Sequence, residues 1–139
     1  MAQVLVDTGF LVALLSRDDQ HHPWAKAQVS SHPHPWFTCE AALSEAFHLL
    51  EPRGTPQLAA LLERGVLHVK FDFAQEMAAT LSLIKKYADV PMSLADGILV
   101  RMSELITESI LLTTDSDFRV YRRLGRKVIP CRMPDLGKV

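Results

Sequence analysis

The sequence has little of several features that mark whole classes of protein. Its 139 residues include only two cysteines, six glycines and eight prolines, and the longest uninterrupted apolar run, residues 10–15, has six residues. A membrane-spanning helix needs ~18 to 20 apolar residues. A disordered linker is richer in glycine and proline than this chain. We therefore expect one globular domain over residues 1–139, with no membrane segment and a core that needs no disulfide or metal.

The cysteines and the charges exclude further classes. Cys39 and Cys131 form neither a CxxC pair nor a Cys/His zinc pattern, which favours a reducing, cytoplasmic setting. The N-terminal segment has no basic leader and Asp7 interrupts its apolar run, so no signal peptide is expected. With 15 Lys+Arg, 16 Asp+Glu and a formal net charge of -1, the chain lacks the positive field of a nucleic-acid coating protein. Any nucleic-acid contact requires a local basic patch.

Apolar runs of strand length alternate with segments of helical periodicity. We predict strands at residues 4–6, 36–38, 66–71, 110–113 and 128–129. The helical segments are residues 9–15, with Thr8 as the cap, a helix from Pro23, and residues 40–50, 56–64, 73–87 and 93–105. Strands alternating with helices predict an α/β fold, a mainly parallel central sheet covered on both faces in three α/β/α layers.

Acidic residues follow or lie beside the predicted buried elements. Asp7 ends the first strand, and Asp115 and Asp117 follow the strand that ends at Thr113. Glu45 and Asp96 lie within apolar helices. Sites in open α/β sheets form outside the carboxyl ends of the strands, and converging carboxylates repel one another unless a cation joins them. Carboxylate oxygens favour Mg²⁺ or Mn²⁺, so the pattern indicates metal-dependent phosphodiester hydrolysis.

Each acid also has a structural interpretation. Ser93 and Asp96 match a capping box, and Asp115 and Asp117 are typical turn and cap residues. Glu45 is compatible with a solvated helix face. Asp7 is the hardest to explain in this way, and the hypothesis of a site depends on the whole set.

Four segments in order resemble the PIN domains, and in particular the virulence-associated protein C toxins of bacterial toxin-antitoxin pairs. They are Val-Leu-Val-Asp7-Thr-Gly-Phe-Leu, Leu-Ser-Glu45-Ala, Ser-Leu-Ala-Asp96-Gly-Ile-Leu-Val and Leu-Thr113-Thr-Asp115-Ser-Asp117-Phe, and together they span nearly the whole chain. The resemblance implies a PIN-like fold. Its one departure is Gly9, where a small polar residue is common in the family.

The resemblance also implies roles for individual residues. Asp7, Glu45, Asp96 and Asp115 correspond to the catalytic acids. Asp7 and Asp96 would be the core metal ligands, Asp115 would complete the site, and Glu45 would orient or activate the attacking water. Asp117 is an additional acid of the metal set, and Thr113 is the hydroxyl that supports the site.

Members of this family are typically Mg²⁺- or Mn²⁺-dependent endoribonucleases, often dimeric, that a small antitoxin inhibits through the active-site groove. The resemblance therefore implies an RNA substrate, a cognate antitoxin, a homodimer, and in-line attack of a metal-activated water on an RNA phosphodiester. A different hypothesis is a catalytically silent PIN-like module that binds RNA or a partner. A phosphatase resembling the haloacid dehalogenases is disfavoured because Gly9 replaces the second aspartate of their motif.

A basic run follows the last acidic motif. Five cations occur within residues 119–127 with no intervening acid, namely Arg119, Arg122, Arg123, Arg126 and Lys127. A basic rim beside a metal centre would hold a phosphate backbone or an acidic antitoxin segment, and we predict Arg119, Arg122 and Arg123 as the contacts. A solvated helix end is the alternative interpretation.

Overall fold

Pairs of helices separate the first four strands along residues 1–135, the part of the chain that this computed structural model describes. The α-helices are α1 (Thr8–Leu15), α2 (His22–Ser31), α3 (Glu40–Leu49), α4 (Thr55–Glu63), α5 (Phe73–Lys86) and α6 (Leu94–Leu105). The strands are β1 (Gln3–Val6), β2 (Trp36–Thr38), β3 (Leu67–Val69), β4 (Ser109–Leu112), β5 (Arg122–Arg123), β6 (Lys127–Val128) and β7 (Cys131–Arg132). A short 3₁₀ helix spans Ser116–Arg119. Up to β4, every predicted element is present.

Five of the strands within these residues form a parallel sheet in the order β3-β2-β1-β4-β7. The chain moves outward from the central β1 to β2 and β3, and then returns to β4 on the other side of β1. The strand order therefore reverses between β1 and β4. In open parallel sheets, a reversal of this kind opens a crevice at the carboxyl ends of the two strands.

Helices cover both faces of the sheet because side chains alternate along its strands. Val4 and Val6 of β1 pack in a cluster with buried residues of α1, α2, α3 and α4. Leu5 points to the opposite face, where Leu99 of α6 and Phe118 are buried and side chains of α5 pack against them. The predicted three-layer α/β/α fold with a parallel sheet is confirmed.

The prediction of a last strand at residues 128–129 is wrong. Val128 belongs to β6, which pairs antiparallel with β5 in a separate two-stranded hairpin. Leu124 and Gly125, with φ of 51° and 86°, make the left-handed turn that reverses the chain between these strands. The strand that completes the parallel sheet is β7, beside β4. Ile129 is buried, which accounts for the apolar signal.

The predicted cap of the first helix is also displaced by one residue. Asp7, not Thr8, is the N-cap of α1, because its Oδ1 accepts a hydrogen bond from the Phe10 amide at 2.8 Å. Thr8 is the first helical residue, and its hydroxyl donates to the Ala42 carbonyl of α3 at 2.9 Å. The candidate site residue Asp7 therefore also fixes the start of α1.

Candidate active site

Asp7 and Thr113 meet in the crevice at the sheet reversal. Val6 of β1 pairs with Leu112 of β4. Asp7 and Thr113 are the next residues on these neighbouring parallel strands, so they lie side by side. Asp7 is buried, with 6% of its surface exposed. Its Oδ2 accepts a hydrogen bond from the Thr113 hydroxyl, while its Oδ1 caps α1. Both carboxylate oxygens are thereby oriented.

Thr113 also positions the acidic segment that follows it. Its Oγ1 accepts a hydrogen bond from the Asp115 amide at 2.9 Å. Asp115 in turn caps the 3₁₀ helix, because its Oδ1 accepts from the Asp117 amide at 2.9 Å. One buried hydroxyl thus links the carboxylate of Asp7 to the backbone that carries Asp115.

Asp96 belongs to both the predicted capping box and the site. The Asp96 amide donates to Ser93 Oγ at 3.0 Å, and the Ser93 amide donates to Asp96 Oδ2 at 3.4 Å. The same Oδ2 accepts from the Tyr121 hydroxyl at 3.2 Å. These bonds occupy one oxygen, and Oδ1 has no hydrogen-bond partner among residues 1–135. The capping interpretation is confirmed, and it leaves a carboxylate oxygen free.

A cavity of about 360 Å³ brings these acids together. Its walls include Asp7, Asp96, Asp115 and Glu45, so the four predicted catalytic acids line one space. Glu45 lies on an exposed face of α3, and Leu49 follows it one turn later on the same wall. Asp117, the additional acid, is half-buried and does not line this cavity.

Burial and mutual repulsion disfavour the charged forms of these carboxyl groups. Burial raises the pKa of Asp7 to about 7, against the opposing effect of the hydrogen bonds from Thr113 and Phe10. Burial, followed by the charge of Asp115, also raises the pKa of Asp96 and that of Asp117. A bound cation would stabilise the charged forms, and the donor set consists of the hard oxygen ligands that Mg²⁺ and Mn²⁺ prefer.

The described part of the chain contains no group of three or more His, Cys, Asp or Glu side chains already arranged to hold a metal ion. Mg²⁺ is commonly held by one or two carboxylates and several waters rather than by a closed protein cage. Asp7 and Asp96 with the neighbouring Asp115 fit that mode of binding. Histidine and cysteine do not line the cavity, so softer metals are less suited to it.

The three arginines predicted as contacts differ in their surroundings. Arg123 donates to the carbonyl of Ser103, in the last turn of α6, at 2.7 Å, and to that of Thr107, just beyond this helix, at 3.1 Å. Arg122 donates to the Arg119 carbonyl at 2.6 Å and to the next two carbonyls. Both therefore support the local backbone, as a cation at a helix end does. The guanidinium of Arg119 is exposed and has no hydrogen bond or ion pair within residues 1–135.

Sequence reasoning missed Tyr121. This tyrosine is fully buried, stacks edge-on with Tyr87 and Phe118, and presents its hydroxyl to Asp96. Burial and the adjacent Asp96 raise the pKa of Tyr121, so the hydroxyl stays protonated and donates. The only signal was an aromatic residue inside the basic run, and nothing in its spacing linked it to Asp96.

Comparisons with known proteins agree with this geometry. The family model of the PIN domain matches residues 4–124, and the chain therefore belongs to the PIN domain family. A solved structure of similar fold is VapC20 of Mycobacterium tuberculosis, described as a Sarcin-Ricin loop cleaving toxin. The two chains have a TM-score of 0.76 and 22% identity, over 85% of this chain and 94% of VapC20. No curated protein matched the sequence. The predicted resemblance to the PIN domains is confirmed.

No helix within the described residues is long and apolar enough to cross a membrane.

Proposed function

We propose that this chain is a divalent-metal-dependent endoribonuclease, the toxin of a toxin-antitoxin pair, built as one PIN-like domain over residues 1–139. The observation that carries the proposal is the convergence of Asp7, Glu45, Asp96 and Asp115 on one cavity at the carboxyl ends of β1 and β4. Carboxylates of this kind suit Mg²⁺ or Mn²⁺, and the chemistry that these ions support is phosphodiester hydrolysis.

The acids divide into two groups by their surroundings. Asp7, Asp96 and Asp115 would hold the ion, with Asp117 as an additional acid nearby. When bound, the ion would polarise the phosphate and lower the pKa of a water. Thr113 keeps the Asp7 carboxylate oriented through its hydroxyl. Since a hydrogen bond to a metal-binding carboxylate fixes the orientation of that carboxylate, Thr113 is a support residue.

Glu45 is the candidate general base. Its carboxylate lies on the exposed wall and has no hydrogen-bond partner in the described chain, so it is free to accept a proton from the attacking water.

Arg119 would contact the RNA backbone or an acidic antitoxin segment directly. Arg122 and Arg123 would add their charge from the positions in which they support the backbone.

Partners follow from the same proposal. A cognate antitoxin would close the cavity, whose wall includes Leu49, an apolar residue that exposes 56% of its surface. We also propose a homodimer, for which light scattering is the direct measurement. Action in the cytoplasm agrees with two free cysteines, Cys39 and Cys131.

The test is cleavage of a mixed pool of structured and single-stranded RNAs by the purified protein with Mg²⁺, Mn²⁺ or chelator. Asp96→Asn keeps an oxygen for the capping box but removes a charge from the site. Asp89→Asn removes an exposed charge outside the cavity and is the matched control. We expect metal-dependent cleavage by the wild type and Asp89→Asn but not by Asp96→Asn. RNA binding without metal-dependent cleavage would favour the silent module.

Toxicity is tested in cells by expression of the chain alone. We expect slowed growth, relieved by Asp7→Asn and by Asp96→Asn. Toxicity equal to that of the wild type in both variants would contradict the assignment of the site.

A further inference from the structure

Gly9 and Thr114 compete for one space beside Asp7. A Cβ atom added to Gly9 would overlap Oγ1 of Thr114, and it would lie 3.6 Å from Oδ1 of Asp7. The hydroxyl of Thr114 therefore occupies the place that any side chain at residue 9 would need. This overlap is a steric reason for glycine at residue 9, in the first turn of α1.

The hydroxyl of Thr114 is also unused. Thr8 donates to the Ala42 carbonyl and Thr113 donates to Asp7, but the side chain of Thr114 makes no hydrogen bond within residues 1–135. Thr114 is half-buried and lines the cavity that holds the acids. A polar group in such a position is commonly satisfied by a ligand or by water.

The rest of the cavity wall has few groups that can donate. Its charged residues are all carboxylates, with no lysine or arginine among them. The Thr8 hydroxyl is already engaged, which leaves Ser93 and Thr114 as hydroxyl donors on this wall. The non-bridging oxygens of a phosphodiester accept hydrogen bonds and therefore need donors. Of these two hydroxyls, that of Thr114 is the one that borders the space between Gly9 and Asp7.

We propose that the Thr114 hydroxyl donates a hydrogen bond to a non-bridging phosphate oxygen of the bound RNA. Because Gly9 has no side chain, it leaves room for this hydroxyl. Thr114 is then a substrate-binding residue of the cavity. The inference rests on the proposed ribonuclease function, and it concerns recognition of the phosphate rather than retention of the metal ion.

The experiment compares Thr114→Val, which keeps the shape without the hydroxyl, with Thr114→Ser, which keeps the hydroxyl. We expect Thr114→Val to raise KM for RNA about tenfold, the cost of a hydrogen bond to a charged group, and Thr114→Ser to stay near the wild type. RNA binding is measured separately in the Glu45→Gln background, where cleavage is slowed. Mn²⁺ titration without RNA should give the same affinity for all the Thr114 variants.

Two further variants separate the hydroxyl from packing. Gly9→Ala should displace the hydroxyl and raise KM as Thr114→Val does, and combining it with Thr114→Ala should add no further loss. Gly9→Ser with Thr114→Ala returns a hydroxyl from the other side of the space and should recover part of the loss of Thr114→Ala alone.

The outcomes are distinct. An unchanged KM and RNA affinity in Thr114→Val, with an active wild type, would overturn the inference alone. A fall in Mn²⁺ affinity in Thr114→Val would overturn the assignment to phosphate. If the wild type neither binds nor cleaves RNA, the proposed function itself fails. If Thr114→Val does not fold, the KM values of Thr114→Ser and of the double variant Gly9→Ser with Thr114→Ala decide the question.

Discussion

The two walls of the cavity hold their carboxylates in opposite ways. Asp7 is buried where β1 ends, and both of its oxygens accept hydrogen bonds. Glu45 is exposed on α3, and its side chain makes no hydrogen bond within the described residues. The backbone register of β1 and β4 fixes the position of Asp7, whereas no hydrogen bond within the described residues fixes the side chain of Glu45. Substitutions on the buried wall should therefore change stability and activity together, and those on the exposed wall should change activity alone.

The largest expected effect is the loss of activity in Asp7→Asn. This change removes a charged ligand from the buried wall, and we expect RNA cleavage to fall at least about a thousandfold, because metal ions contribute several kcal/mol to such reactions. Cleavage kinetics at saturating Mg²⁺ measure the effect, with Asp89→Asn as the control. Activity within tenfold of the wild type would remove Asp7 from the site.

The second effect is on stability, and its sign is opposite to the usual one for an aspartate. The folded-state pKa of Asp7 is about 7, above the unfolded value near 3.8. Its contribution to stability is therefore fully present below about pH 4 and is lost as the pH rises toward 7. In chelator at pH 7.5, the free energy of unfolding of Asp7→Asn should exceed that of the wild type by up to about 4 kcal/mol, the cost of ionising the buried Asp7 carboxyl, and this advantage should be lost near pH 4.

Added Mg²⁺ provides the control for that measurement. It should stabilise the wild type at pH 7.5 and leave Asp7→Asn nearly unchanged, since a ligand stabilises the state that binds it. If the free energies of unfolding of the wild type and Asp7→Asn in chelator depend on pH in the same way, ionising the buried Asp7 carboxyl does not destabilise the fold.

A smaller effect is expected on the exposed wall. Glu45→Gln should lower kcat about a hundredfold, the usual contribution of a general base, and leave the unfolding free energy within about 0.5 kcal/mol. Chemical denaturation and single-turnover cleavage measure the two quantities. Glu40→Gln, an exposed change in the first turn of the same helix, should leave kcat near that of the wild type. A large loss of stability in Glu45→Gln would contradict the expectation that substitutions on the exposed wall change activity alone.

The smallest effect tests whether Asp96 belongs to the buried wall. Tyr121→Phe removes the hydrogen bond to Asp96 and keeps the ring. Mn²⁺ affinity should therefore fall about tenfold, the lower end of the range for residues that hydrogen-bond to a metal ligand. Tyr87→Phe is the matched change, because the Tyr87 hydroxyl accepts from the Arg122 amide at 2.9 Å. It should lower stability without changing Mn²⁺ affinity. Equal Mn²⁺ affinity for Tyr121→Phe and the wild type would contradict the role of Tyr121.

The sequence predicted the sheet and the position of Asp7 and Asp115 because both depend on local rules. An apolar run followed by a carboxylate places that carboxylate at the carboxyl edge of a parallel sheet, whatever the remaining packing is. Asp96 was assigned both a cap and a site role for the same reason, and its two oxygens allow both.

What the sequence did not predict depends on contacts distant along the chain. The hydrogen bond from Tyr121 to Asp96 joins residues 25 positions apart, and the one from Arg123 to the Ser103 carbonyl joins residues 20 positions apart. Arg123 makes its bond from the hairpin of β5 and β6. That hairpin depends on a left-handed turn at Leu124, where leucine is uncommon and the turn signal is weak. The competition between Gly9 and Thr114 is likewise a matter of packing that no spacing reveals.

The most direct test of metal binding by Asp7 and Asp96 is a crystal structure of the protein with Mn²⁺, in which the anomalous signal locates the ion. We expect an anomalous peak in the cavity, within bonding distance of carboxylate oxygens of Asp7 and Asp96. A peak at another site, or none in crystals of wild-type protein that cleaves RNA with Mn²⁺, would contradict the claim that these carboxylates hold the ion.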